Sequence, residues 1–213
     1  MEFSKMKILI GTKNNGKIKE IKKILNGIDV TILTPNDLGI KKKPLENGKD
    51  FWENSITKAR FYHELSSYPT LAEDSGLEVE ALNGLPGVHS ARFAGDQASD
   101  KENWEKLLLL LKDLPEEKRK ARFICVVSFI DKNGDIKFFE GKVEGVITKE
   151  AIGERGFGYD PIFFVSEKGK TMAQLTEDEK NLISHRGKAW REAKAYLEKI
   201  IRSNKNRGVA QPG

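Results

Sequence analysis

Of the 213 residues, one is cysteine and three are histidine. The lone Cys125 excludes a disulfide framework and any zinc site built on several thiolates. Long apolar runs are missing as well. The longest, Leu107–Leu111, falls far short of the roughly 20 residues that span a bilayer. Met1–Lys7 lacks the apolar stretch and small-residue cleavage site of a secretory signal. No repeat and no Ser-, Gln- or Pro-rich tract divides the chain. With hydrophobic residues at 38% and charged residues at 32%, the composition excludes global disorder. These absences predict a soluble cytoplasmic α/β protein with no membrane partner.

A strong charge excess is also missing. The net +5 includes Arg202, Lys205 and Arg207, and removing these three leaves +2 for residues 1–201. Lysines and glutamates are interleaved, as in Lys17–Lys23 and Pro115–Lys120, which reads as solvated helix surface. A stable nucleic-acid partner is not expected from charge, since duplex binders concentrate cations on one face.

What is present is an alternation of elements. Lys7–Ile10 and Val30–Leu33 read as strands around a helix marked by Ile18, Ile21, Ile24 and Leu25, a crossover unit of an α/β sheet. Phe51 to about Ser66 is predicted helical, with Phe51, Ile56, Ala59 and Leu65 on or near one side. Thr70–Ala72 and Leu77–Leu82 are predicted to flank an acidic turn. Ser99 and Glu102 form a capping-box pattern for a helix through Leu111. Ala121–Ile130 and Ile136–Phe139, joined through Asn133-Gly134, predict a hairpin and hence a mixed sheet. A last helix carries Ala189, Trp190, Ala193, Leu197, Ile200 and Ile201 on one face. Residues 1–202 are therefore read as one domain and residues 203–213 as a disordered tail.

Four segments could carry chemistry. Gly11–Lys17, between a strand and a helix, offers backbone amides and a lysine to an anion. It matches most of a P-loop, but Ile18 stands where that motif needs a hydroxyl, which counts strongly against a standard P-loop ATPase and leaves a divergent P-loop enzyme releasing orthophosphate as a rival. Glu73-Asp74-Ser75 is an acidic pair that is costly without a cation, with Glu46 as a further hard oxygen ligand. A solvated turn is the alternative. Gly153–Pro161 could set an aromatic face beside a flat ligand, with Asp160 as acceptor, or could simply bend and cap the core. Lys180 with Ser184-His185-Arg186, placed at the start of the last helix, gathers donors suited to an oxygen-rich ligand.

Taken in order, Thr12–Lys17, Phe51–Ala59, Asp74-Ser-Gly-Leu, Leu85–Phe93, Gly156–Pro161 and Ser184-His-Arg186 resemble the inosine triphosphate pyrophosphatase family over about Lys7 to Ile201. The resemblance implies an elongated mixed sheet flanked by helices, in two lobes around a central nucleotide-binding cleft, usually as a homodimer. It implies Mg2+-dependent hydrolysis of ITP, dITP or XTP to the monophosphate and pyrophosphate, cleansing the nucleotide pool. Carried over by position, Asp74 is the proton acceptor, and Glu46 and Asp74 are metal ligands. Thr12, Lys13, Asn14, Asn15, Gly16 and Lys17 hold the triphosphate. Ser75, Phe157, Gly158, Tyr159, Asp160, Lys180, His185 and Arg186 contact the nucleotide. Glu73 departs from the family, where many relatives have Asp. A pyrophosphatase for modified pyrimidine nucleotides and a non-catalytic nucleotide or RNA-binding module are the alternatives.

Overall fold

The computed structural model describes residues 5–209, with side chains as far as 203. The elements run β1 (Met6–Ile10), α1 (Asn15–Ile24), β2 (Val30–Leu33), α2 (Phe51–Ser66), β3 (Thr70–Val79), α3 (Asp100–Leu110), β4 (Lys120–Ile130), β5 (Ile136–Ile147), β6 (Phe163–Val165), β7 (Lys170–Thr171), α4 (Glu177–Ile183) and α5 (His185–Val209). The strands form one mixed sheet in the order β2-β1-β3-β4-β5-β6-β7. β1 is parallel to β2 and β3, and the remaining neighbours are antiparallel. The helix starts carry the side-chain caps their sequences call for: Asn14 accepts from the Lys17 amide, Asp50 from Glu53, and Ser99 forms a reciprocal box with Glu102.

The expected hairpin is present and longer than periodicity suggested. β5 continues past Phe139 to Ile147, pairing with β4 from Ile136 to Val146. Gly141 and Gly145 interrupt the apolar pattern there, and both are sites of close packing. A Cβ at Gly141 would lie 2.1 Å from the His185 carbonyl oxygen and 2.7 Å from the Ala189 amide. The missing side chain lets the first turn of α5 press onto the sheet.

Two apolar clusters lie along the β3–β4–β5 ribbon. One joins Ile8, Ile10, Ile21, Leu71, Val127 and Phe129 to Ala189, Trp190 and Leu197 of α5. The other joins Leu77, Val79, Phe123, Val143 and Ile147 to Leu107 of α3, to Leu111 at its C-cap and to Tyr159 and Ile162. Arg119, fully buried, donates to the carbonyls of Leu111, Ile147 and Thr148, tying the end of α3 to β5. The middle of β3 runs between the two clusters.

Four expectations are corrected here. Glu73 and Asp74 lie in no turn, because β3 is continuous from Thr70 to Val79 and every residue pairs with β4. On α2 Leu65 is exposed and Tyr62 is buried, since the inward stripe includes the polar Asn54, Ser55 and Lys58, which a hydrophobic pattern does not register. Lys180 lies on the separate short helix α4, and α5 starts only at His185. Helix α5 runs on past Arg202 to Val209, as no glycine or proline interrupts Ser203–Arg207. The rest of the expected tail, 210–213, lies outside the described residues. No helix among those described is long and apolar enough to cross a membrane.

Gly141→Ala should displace the start of α5 and lower the melting temperature by several degrees, the effect of overpacking by about 1–3 kcal/mol. Thermal unfolding followed by circular dichroism checks this.

Candidate active site

The C-terminal end of β1 leads into the Gly11–Lys17 loop, and β3 passes beside it, with Gly11 bonded to the Leu71 carbonyl. Because strand side chains alternate, Glu73 and Asp74 point to opposite faces of the sheet. Glu73 faces α1 and α5, whereas Asp74 faces α2. The neighbouring carboxylates thus never share a cation, and the metal-bridged pair considered for them is not what the structure contains.

Glu73 is nearly fully buried and heavily engaged. Arg186 Nε donates to its two oxygens at 2.9 and 3.1 Å, and Trp190 Nε1 donates to Oε2 at 2.6 Å. Lys17 Nζ lies 3.1 Å from Oε1. Burial acts to raise the Glu73 pKa. The charges of Arg186 and Lys17 and the hydrogen bonds from Trp190 and Arg186 outweigh it, and hold the carboxyl well below its ordinary range. Ser75, on the same face, accepts from Lys17 at 3.1 Å and Arg186 at 3.0 Å. Cys125 packs against Glu73, and burial and that carboxylate push its thiol well above the ordinary value, so it is inert.

On the other face, Asp74 Oδ1 accepts from Lys58 at 2.6 Å and Oδ2 from Asn54 at 3.2 Å. Lys58 also pairs with Glu46 at 2.8 Å, so Glu46 and Asp74 close on one ammonium. They border a cavity of about 360 Å³ lined by Thr12, Lys13, Asn14, Lys17, Lys43, Lys58 and Arg92. Five cationic side chains against two carboxylates suit a polyanion.

A smaller cavity of about 110 Å³ meets the first at Asn14, Lys17, Ser75 and Ala91. Phe157, Gly158, Tyr159, Asp160, Lys180, His185 and Arg186 line it. The Phe157 ring has Lys180 Nζ at 4.6 Å and the Arg186 guanidinium at 5.3 Å from its centroid. Gly16 also abuts it, where a Cβ would sit 3.0 Å from the ring, so this glycine makes room for an aromatic from 141 positions away. Asp160 accepts from the Phe157 amide at 2.9 Å and Lys180 at 2.5 Å, which fixes the bend. Burial keeps its pKa above the ordinary value in spite of Lys180. The glycines therefore bend the loop, and the bend leaves the Phe157 ring at the edge of the cavity.

His185 stacks on Phe123 at 4.6 Å and 10°, and its Nδ1 has no hydrogen-bond partner. Burial and the neighbouring Arg186 charge hold its pKa well below the ordinary value, so it is a neutral ring with one donor and one acceptor. Most Arg186 donors are spent on Glu73, Glu20 and Ser75. Tyr159 sends its hydroxyl to the Ser90 carbonyl at 2.8 Å, anchoring the loop in the core.

Lys17, Asp74, Phe157 and His185, drawn from four distant segments, thus border two joined cavities. Asn15 and Gly16 line neither.

The model of the Ham1 family matches residues 8–196. The chain belongs to the Ham1 family. A dITP/XTP pyrophosphatase of Clostridium perfringens (strain 13 / Type A) is 45% identical over 92% of this chain and 99% of its own length. One from Thermoanaerobacter sp. (strain X514) is 47% identical over 92% and 98%. The Staphylococcus aureus Ham1 protein superposes with a TM-score of 0.82 at 42% identity, covering 91% of this chain and 98% of that one. The resemblance drawn from the six sequence motifs is borne out, as is the mixed α/β fold.

For this Ham1 family member, sequence reasoning missed Lys58, Asn54, Glu20, Trp190, Lys43 and Arg92 as parts of the site. Lys58 and Asn54 stand within the Phe51–Ala59 motif, so proximity to it was the available clue. Glu20 left a weaker one, since it shares its helix with Lys17. It pairs with Lys180 at 2.7 Å and Arg186 at 2.8 Å. Among the described residues, no group of three or more His, Cys, Asp and Glu forms a metal cage.

Because the folded pKa of Glu73 lies below its ordinary 4.5, its contribution is complete above that value and fades as pH falls toward the folded one. Glu73→Gln leaves buried cations short of a partner and should cost about 3 kcal/mol or more at neutral pH. The gap to the parent should narrow below pH 4.5, read by urea unfolding across pH.

Proposed function

We propose that the joined cavities bind a non-canonical purine nucleoside triphosphate (ITP, dITP or XTP) lengthwise and hydrolyse it to the monophosphate and pyrophosphate. The observation that carries the reading is adjacency. A cation-rich cavity with a carboxylate pair adjoins a cavity lined by an aromatic ring, the two sharing Asn14, Lys17, Ser75 and Ala91. Relatives named dITP/XTP pyrophosphatase along nearly the whole chain support the same substrate class.

In this reading Thr12, Lys13, Asn14 and Lys17 bind the triphosphate, and Phe157 stacks on the base. The helix-start amides at Asn15 and Gly16 add their partial positive charge. A purine 6-oxygen is an acceptor, as adenine's 6-amino group is not. The neutral His185 ring, held flat on Phe123, satisfies that oxygen in the tautomer that carries its proton on the nitrogen facing the base, and in that tautomer it opposes the 6-amino group of ATP with a second donor, a costly buried mismatch.

Glu46 and Asp74 fit a divalent ion because they already close on one cation, and two carboxylates completed by phosphate and water is the usual magnesium set. Bound there, magnesium would neutralise phosphate oxygens and polarise the phosphorus under attack. Asp74 accepts the proton of the attacking water. Asn54 and Lys58 fix both its oxygens, so much of its contribution is positional. A cytoplasmic homodimer completes the proposal, and sedimentation of the purified chain reads its oligomeric state.

An assay of ITP, XTP, ATP, GTP and dTTP with and without Mg2+ should yield pyrophosphate from the first two only, and only with the ion. Orthophosphate release, or equal rates for dTTP, would reject the reading. Asp74→Asn should lower kcat by about 10²-fold or more with the fold intact. For His185→Ala, the ratio of kcat/KM for ITP over ATP should fall by about tenfold or more. An equal loss for both nucleotides would make His185 a general positioning residue.

A further inference from the structure

The cation between Glu46 and Asp74 belongs to the chain itself. Lys58 Nζ donates to Asp74 Oδ1 at 2.6 Å, to Glu46 Oε2 at 2.8 Å and to the Glu73 carbonyl at 3.3 Å. An ammonium has three N–H donors, so these acceptors exhaust it. The Lys58 and Asp74 side chains are only 9% and 7% exposed. A second carboxylate closing on the buried Asp74 would be repelled by it without a cation between them. Yet Lys58 also lines the cavity shared with Thr12, Lys13 and Lys17. It cannot donate to a phosphate while all three protons are committed to the protein.

We infer that Lys58 is a resident counter-ion for Glu46 and Asp74, competing with a divalent ion for them and turning to the phosphates once that ion arrives. The inference rests on the reading of Glu46 and Asp74 as metal ligands given above. Glu46 is the partner free to adjust, being on a loop with its side chain 40% exposed, whereas Asp74 is held in the middle of β3. The same charges then have two arrangements. In one, the ammonium neutralises the carboxylates and keeps the empty site folded. In the other, the ion takes over that task and the freed ammonium faces the incoming anion. Lysine in this role opposes metal binding while assisting substrate binding, so its removal should move the two in opposite directions.

The test is Mn2+ binding to the full, nucleotide-free chain, read from the electron paramagnetic resonance signal of the free ion. Lys58→Met should bind Mn2+ about tenfold or more tightly than the parent, through loss of a nearby positive charge. Lys58→Arg should stay close to the parent, and Lys58→Met combined with Asp74→Asn should lose the gain. Without metal, Lys58→Met should melt lower than the parent, and Mn2+ should raise its melting temperature further. Equal or weaker Mn2+ binding by folded Lys58→Met would overturn the inference and leave the ligand assignment standing. Gain that survives Asp74→Asn, or no binding by any variant, would overturn that assignment and the inference with it. Should Lys58→Met not fold, Lys58→Gln is read in the same way. Variants that stay unfolded even with Mn2+ would also overturn the inference, since an ion able to replace the ammonium should restore the pair.

Discussion

A carboxylate in the middle of the sheet holds this molecule's working parts in place. Glu73 receives Arg186 and Trp190 from α5 and Lys17 from α1, so one buried charge joins three elements remote in sequence. Around it, Lys17, Lys180 and Arg186 stand against Glu20, Glu73 and Asp160, three charges of each sign. Stripping water from six charges is expensive, and a well-packed apolar core would serve stability as well. What the network provides is position. Lysine and arginine end up beside the Phe157 ring, and the Gly11–Lys17 segment lies against the same ring through Gly16.

Strand alternation then divides the labour. One step along β3 turns from a carboxylate committed to structure to one bordering the cation-rich cavity. Glu73 is surrounded by cations of the chain, while Asp74 shares its cation with Glu46 at the cavity edge. Gly141 matters for the same reason at one remove, because α5 must press closely onto β5 for Arg186 and Trp190 to reach Glu73.

Much of this was legible in the residues. Caps, the Asn-Gly hairpin and the opening crossover rest on local chemistry, and each appears where spacing predicts it. The acidic segment was misread because Glu-Asp-Ser-Gly has turn composition. Its counter-charges come from residues 16 to 113 positions away, invisible to any local window. The inward face of α2 was misread for a related reason. Its buried Lys58, Asn54 and Ser55 look like solvent positions until their partners are known.

The order of motifs along the chain was enough to determine the family, the sheet type and most of the side chains that border the cleft, since these depend on residue identity and near-neighbour spacing. Only the tertiary structure decided which carboxylate is sealed among the chain's own cations and which borders a cavity, and that Lys58 stands between Glu46 and Asp74. Those outcomes depend on which distant charges fold against one another, and a buried charge takes its role from its partner rather than from its neighbours in sequence.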